Sequence, residues 1–121
     1  MYRIAVHDHF SSAHQLKGYR GKCEDIHGHN WKVELEVTGD KLDDIGMLID
    51  FREIRGILKN IVDGLDHKML NEIEPFNKIN PTSELIAQNI FNKVKGRLTG
   101  DLKICSVTVW ESENSRAVYY E

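Results

Sequence analysis

The sequence predicts an α+β domain, a four-stranded antiparallel sheet with two helices on one face. Three observations carry this. In "HNWKVELEVTGD", Trp31, Val33, Leu35 and Val37 fall on one side while Lys32, Glu34 and Glu36 fall on the other; this period of two marks a half-buried strand of an antiparallel sheet. Two later segments switch to apolar residues three and four apart, the helical spacing. The order along the chain is strand, strand, helix, helix, strand, strand, and paired strands flanking two helices bury one sheet face beneath them.

Each element has its own signal. "YRIAVHDHFSSAH" opens with alternating character and reads as the first strand; Gly39-Asp40 ends the second. In "DFREIRGILKNIVDGLDH", Phe51, Ile54, Leu58, Ile61 and Leu65 form the stripe of a first helix. Asp50 is its N-cap, with Glu53 as capping-box partner. A polar stretch with Pro75 follows. "NPTSELIAQNIFNKVKGRL" is the second helix, capped by Thr82 or Asn80, with Leu85, Ile86, Ile90, Val94 and Leu98 facing inward. After the break at Gly100-Asp101, "LKICSVTVWES" and "RAVYY" are the last two strands. Cys105 shares parity with Val107 and Val109 and is assigned to the core. Such a small sheet leaves two edges to protect, and association of sheets between chains would cover them.

Composition narrows the function. A chain of 121 residues that is 40% hydrophobic suits one compact domain spanning 1–121. A net charge of -3 without a basic run disfavours nucleic acid as a partner. No apolar stretch is long enough for a bilayer, so no membrane partner is expected. "MYRIAVHDHF" lacks a signal-peptide layout, and the expected compartment is the cytoplasm. Two cysteines, Cys23 and Cys105, do not make a disulfide scaffold.

The chemistry concentrates in "CEDIHGHNW" at 23–31. His27 and His29 stand two apart and point the same way on an extended backbone. His14 ends the first strand; antiparallel pairing brings it beside them. Three histidines without a fourth protein ligand match a catalytic zinc with one position open. His7 and His9 repeat the His-x-His spacing but sit mid-strand and are assigned no metal. Cys23 could close a four-ligand structural site or act as a thiol near the metal, its pKa drawn down; spacing alone does not choose. Asp66-His67 is a carboxylate–imidazole pair able to relay a proton, or a favourable helix C-terminus. Glu111 could accept two parallel N–H bonds from a guanidine-like edge, or be a solvated strand end.

"FSSAH", "CEDIHGHNW", "LDHKMLN", "NPTSE" and "VWES", in this order, resemble the 6-pyruvoyltetrahydropterin synthase / 6-carboxytetrahydropterin synthase family over nearly the whole chain. The resemblance implies the tunnelling fold, with trimers closing a twelve-stranded barrel and two trimers forming a homohexamer. It assigns zinc to His14, His27 and His29, and proton transfer to the Cys23 thiol. Asp66 and His67 would complete the relay from a neighbouring subunit. Glu111 would anchor the pterin. The three-residue gap between Cys23 and His27 resembles the bacterial and archaeal carboxy type. That type converts the small-molecule substrate 7,8-dihydroneopterin triphosphate to 6-carboxy-5,6,7,8-tetrahydropterin, acetaldehyde and triphosphate, on the way to 7-deazaguanines such as queuosine. Pyruvoyl synthase is the alternative within the family, and a non-catalytic structural zinc module is the alternative outside it. A branch making hydroxymethyl-dihydropterin, with Glu at the cysteine position, ranks lower because Cys23 is retained beside Glu24. Triphosphate needs cations; Lys22, next to Cys23, is the first choice and Arg116 the second.

Overall fold

The alternating segments form one antiparallel sheet. A computed structural model describes residues 1–21 and 24–121, so Lys22 and Cys23 lie outside the described residues. Strands β1 (Tyr2–His14), β2 (His27–Gly39), β3 (Lys103–Ser112) and β4 (Ser115–Tyr120) lie side by side in sequence order. Helices α1 (Phe51–Asp63) and α2 (Ser83–Lys95) occupy the interval between β2 and β3. A single 3-10 turn, Leu70–Glu72, lies in the connection between them. α1 packs on β1, and α2 on β3 and β4.

The core is the surface where these faces meet. Trp31, Val33, Leu35 and Val37 are fully buried, joined by Val6 and Phe10 of β1 and by Val107 and Val109 of β3. The helices add Ile54, Leu58, Ile61 and Val62 from α1, and Ile86, Ala87, Ile90, Phe91 and Val94 from α2. Burying one such Leu or Ile contributes about 1.5–3 kcal/mol.

Several local expectations shift. Phe51 opens α1 and stays exposed, and Val62 takes its place in the stripe. Leu65 is buried but follows the helix end, and Leu98 likewise packs beyond α2. Asp50 caps α1 by accepting from the Arg52 N–H at 2.8 Å, and the Arg52 guanidinium, rather than Glu53, is its side-chain partner. At α2 the cap is Thr82, which accepts from the Leu85 N–H at 3.2 Å.

The assignment of Cys105 to the core does not hold. Glu36 pairs with Ser106 but Val37 pairs with Ile104, so the β2–β3 register slips at Cys105. An extra residue in a bulge breaks the two-residue parity. The thiol is half-buried beside Glu36 and Thr38, and burial, then the Glu36 charge, push its pKa up.

Two features position the site. The β1–β2 register sets His14 opposite His27 and Ser12 opposite His29. The chain that follows α1 then lies along the outer edge of β1, where Ala13 bridges to Met69 in parallel. Among the described residues, no helix is long and apolar enough to cross a membrane.

Candidate functional site

Strand pairing places three imidazoles on one patch of the helix-facing side. His14, His27 and His29 each offer a ring nitrogen, and Glu111 a carboxylate oxygen, all within 4.8 Å of one another. Trp31 forms the floor, its ring centroid 4.9 Å from that of His14 and 5.2 Å from that of His29. Its indole N–H donates to the Ser12 carbonyl at 3.1 Å, which fixes the floor to β1.

Main-chain carbonyls decide which nitrogens face inward. His14 Nδ1 lies 2.8 Å from the Pro81 carbonyl, and His27 Nδ1 2.8 Å from that of Asp25. A carbonyl only accepts, so each Nδ1 carries a proton, and in the tautomer this selects an Nε2 lone pair turns inward. Those two Nε2 atoms are 3.1 Å apart. Two lone pairs cannot hydrogen-bond to each other. Among the described residues, His29 Nε2 is buried without a hydrogen-bond partner, although Glu111 Oε1 is only 3.1 Å away. Burial is the main influence lowering its pKa, with His14 and His27 adding to that and Glu111 opposing it, so the ring is held towards its neutral form.

A cation resolves all of this. Ligands around tetrahedral zinc at about 2.0–2.1 Å stand about 3.3 Å from each other, close to the spacing seen here. Carbonyls that accept from the far ring nitrogen and so fix the tautomer are a regular part of histidine–metal sites. The donor set therefore fits a metal held by His14, His27 and His29.

Glu111 is nearer this cluster than the sequence indicated. The β3–β4 register slips between Trp110 and Ser112, which makes Glu111 the extra residue of a bulge. Glu111 also shares the parity of buried Val107 and Val109, so alternation along β3 points it to the helix-facing side, and its Oε1 lies 3.1 Å from both His14 Nε2 and His29 Nε2. The carboxylate that the resemblance assigns to the pterin edge thus also reaches the metal position.

Asp66 and His67 are not in the cluster. They dock on the outer edge of β1. Asp66 accepts from the Ser11 N–H at 2.8 Å, and its other oxygen lies 2.9 Å from His67 Nδ1. The Ser11 bond first, then His67, hold Asp66 below the usual carboxylate range. His67 has a positive φ of 55°, a strained conformation for a non-glycine residue that often accompanies function. Its imidazole is largely exposed, and together with His29, Asn30 and Lys68 it borders an open depression of about 480 Å³.

Other sequence candidates lie apart. His7 pairs with Glu34 at 3.5 Å, and His9 is exposed. The Arg116 guanidinium stands 5.6 Å from the Trp110 ring centroid, opposite no member of the cluster. Cys23 and Lys22, expected to serve as thiol and triphosphate contact, lie outside the described residues. Sequence alone did not assign Glu24, whose Oε1 is 3.6 Å from His27 Nε2. Its only signal was adjacency to Cys23.

Comparison with known proteins gives the family. The 6-pyruvoyl tetrahydropterin synthase family profile matches residues 3–121. The 6-carboxy-5,6,7,8-tetrahydropterin synthase of Haemophilus influenzae is 33% identical, with 100% of each chain covered. The dihydroneopterin monophosphate aldolase of Pyrococcus furiosus is also 33% identical, over 90% of this chain and 89% of its own. The 6-pyruvoyl tetrahydropterin synthase structure of Caenorhabditis elegans shares the fold, with a TM-score of 0.84 at 24% identity, covering 99% of this chain and 95% of that one. The ordered motifs, the ββααββ subunit and the profile match lead to one conclusion: this chain belongs to the 6-pyruvoyl tetrahydropterin synthase family.

Proposed function

We propose that the chain is a single-domain, zinc-dependent 6-carboxy-5,6,7,8-tetrahydropterin synthase acting on 7,8-dihydroneopterin triphosphate, in the supply of 7-deazaguanines. The observation that carries the metal is the convergence of three imidazole nitrogens, one of them buried and without a hydrogen-bond partner among the described residues. The named relatives carry the substrate class. Zinc bound by His14, His27 and His29 would polarise the side-chain oxygens of the substrate and acidify the neighbouring C–H.

The remaining roles belong to the chain. Cys23 takes the proton as a thiolate. Asp66 accepts from His67 Nδ1–H, which leaves Nε2 exposed to give or receive a proton at the substrate. Glu111 orients the substrate from the bulge beside the metal. Lys22 contacts the triphosphate. The exposure of His67 in one subunit supports a site completed by a neighbour, within a trimer barrel and a hexamer, in the cytoplasm.

A second reading is a dihydroneopterin phosphate aldolase, which breaks the bond between the first and second side-chain carbons to leave 6-hydroxymethyl-dihydropterin. Two observations favour it: the relative of that name, and a Glu24 carboxylate close to His27. One assay separates these readings. The zinc-loaded protein is incubated with dihydroneopterin triphosphate and, separately, with the monophosphate, and the pterin product is identified by mass. Carboxytetrahydropterin supports the first reading, hydroxymethyl-dihydropterin the second, and a pyruvoyl product the lyase. No product from either substrate would exclude all three and leave a structural zinc module.

A further inference from the structure

Beyond Phe10, the outer edge of β1 is covered rung by rung. Alternate residues turn their peptide groups away from β2, and the segment between the helices meets them. His67 N–H donates to the Ser11 carbonyl at 2.6 Å, and Ala13 N–H to the Lys68 carbonyl at 3.0 Å. The chain then coils into the Leu70–Glu72 turn and cannot supply another main-chain rung. Two side chains continue the pattern. Asn71 accepts from Gln15 N–H at 2.8 Å and donates to the Gln15 carbonyl at 2.8 Å. Asn80 does the same for Lys17, at 2.8 Å in each direction. A carboxamide carries the donor and acceptor of a peptide group, and among side chains only Asn and Gln offer both in this planar form.

The held segment reaches the site. Glu24 N–H donates to the Leu16 carbonyl at 3.1 Å, and the Gln15 side chain donates to the Glu24 carbonyl at 2.7 Å. Residues 15–17 and 24 are therefore the two sides of a stem. Glu24, on that stem, places its carboxylate 3.6 Å from His27 Nε2.

We propose that Asn71 and Asn80 are positioning residues of the reaction centre: their amides act as surrogate strand rungs that fix the stem presenting Glu24 to the three-histidine site. Neither asparagine touches that site, and both motifs, "LDHKMLN" and "NPTSE", gain a physical reason for their asparagine. The proposal rests on the three-histidine cluster being the reaction centre.

The test uses Asn71→Ala and Asn80→Ala, with Asn71→Asp and Asn80→Asp as forms that keep the acceptor but set a carboxylate oxygen against the Gln15 or Lys17 carbonyl. In the alanine variants, amide exchange at Gln15 and at Lys17, respectively, should quicken at least about tenfold, with metal content unchanged. Misplaced reacting groups should lower kcat about 10–100-fold while KM moves less than about threefold. The aspartate variants should lose at least as much as alanine, because two oxygens then oppose each other. Exchange at the Glu24 amide, which donates to the Leu16 carbonyl, should quicken as well, while exchange at Leu35 in β2 does not change. That readout needs no pterin. If wild type turns over no pterin but the exchange shifts at Gln15, Lys17 and Glu24 appear, the functional reading fails and the stem stands. Unchanged exchange, or quickened exchange at Gln15 or Lys17 with kcat and Glu24 exchange unaltered, overturns the proposal.

Discussion

Replacing His27 by alanine should abolish metal-dependent stabilisation with little effect on the metal-free fold. His27 is the right ligand to remove. Its side chain is 37% exposed and covers no core, whereas His14 is 1% exposed and its loss would open a cavity and orphan the Pro81 carbonyl. Binding at a zinc concentration 100 times the dissociation constant stabilises the native state by about 2.7 kcal/mol. Unfolding entropy near 2.1 cal/mol/K per residue gives about 0.25 kcal/mol/K for the 121 residues. Their ratio is a rise in Tm of about 11 °C for wild type. Loss of a partner that only orients a ligand weakens a metal site about 10–100-fold, so loss of a ligand itself costs at least the upper figure. At the same zinc concentration the variant then gains at most about 0.4 kcal/mol, or about 2 °C. Removing one of two opposed lone pairs should leave the metal-free Tm within a few degrees of wild type. Thermal melts with and without added zinc, alongside metal analysis, read both quantities. A variant that keeps one zinc per chain and the full rise would refute the assignment of His27 and the lone-pair argument behind it.

Other perturbations probe the remaining roles. Cys23→Ala should retain its zinc and its fold but lose turnover; loss of metal with the thiol would point to a four-ligand structural site. Glu111→Gln should keep the metal, since three imidazoles suffice, and lower kcat/KM by about 2–4 kcal/mol of transition-state binding; unchanged kcat/KM would remove Glu111 from the reaction. Mixing inactive Cys23→Ala and His67→Ala chains should restore roughly a quarter of wild-type activity if sites are shared between subunits and chains assort at random. No recovery in demonstrably mixed oligomers would place both groups in one chain. Asp66, held below its ordinary value of 3.8, stabilises the fold above that pH and loses this contribution as pH falls through its folded pKa. The Tm difference between wild type and Asp66→Asn should therefore narrow below pH 3.8; a constant difference through acid titration would contradict the Ser11 and His67 contacts.

The sequence by itself determined the elements and half of the site. A period of two or of three and four is a local property, so Trp31 to Val37 and Ile54 to Ile61 disclosed their buried faces without any partner. The His27–Gly28–His29 spacing placed two ligands on one face for the same reason, and an antiparallel β1–β2 pair was enough to bring His14 to them. Only the tertiary structure decided what depends on register and on the path of distant chain. A one-residue slip took Cys105 out of the core, and the pairing of β3 with β2 brought Glu111 to the imidazoles; composition encodes neither where a ladder slips nor which strands pair. The Pro81 and Asp25 carbonyls set the tautomers, and Asn71 and Asn80 reached Gln15 and Lys17, through hydrogen bonds that in most cases join residues more than fifty positions apart. Those contacts exist because the sheet and helices fix where each loop must pass, and a linear pattern carries no record of that geometry.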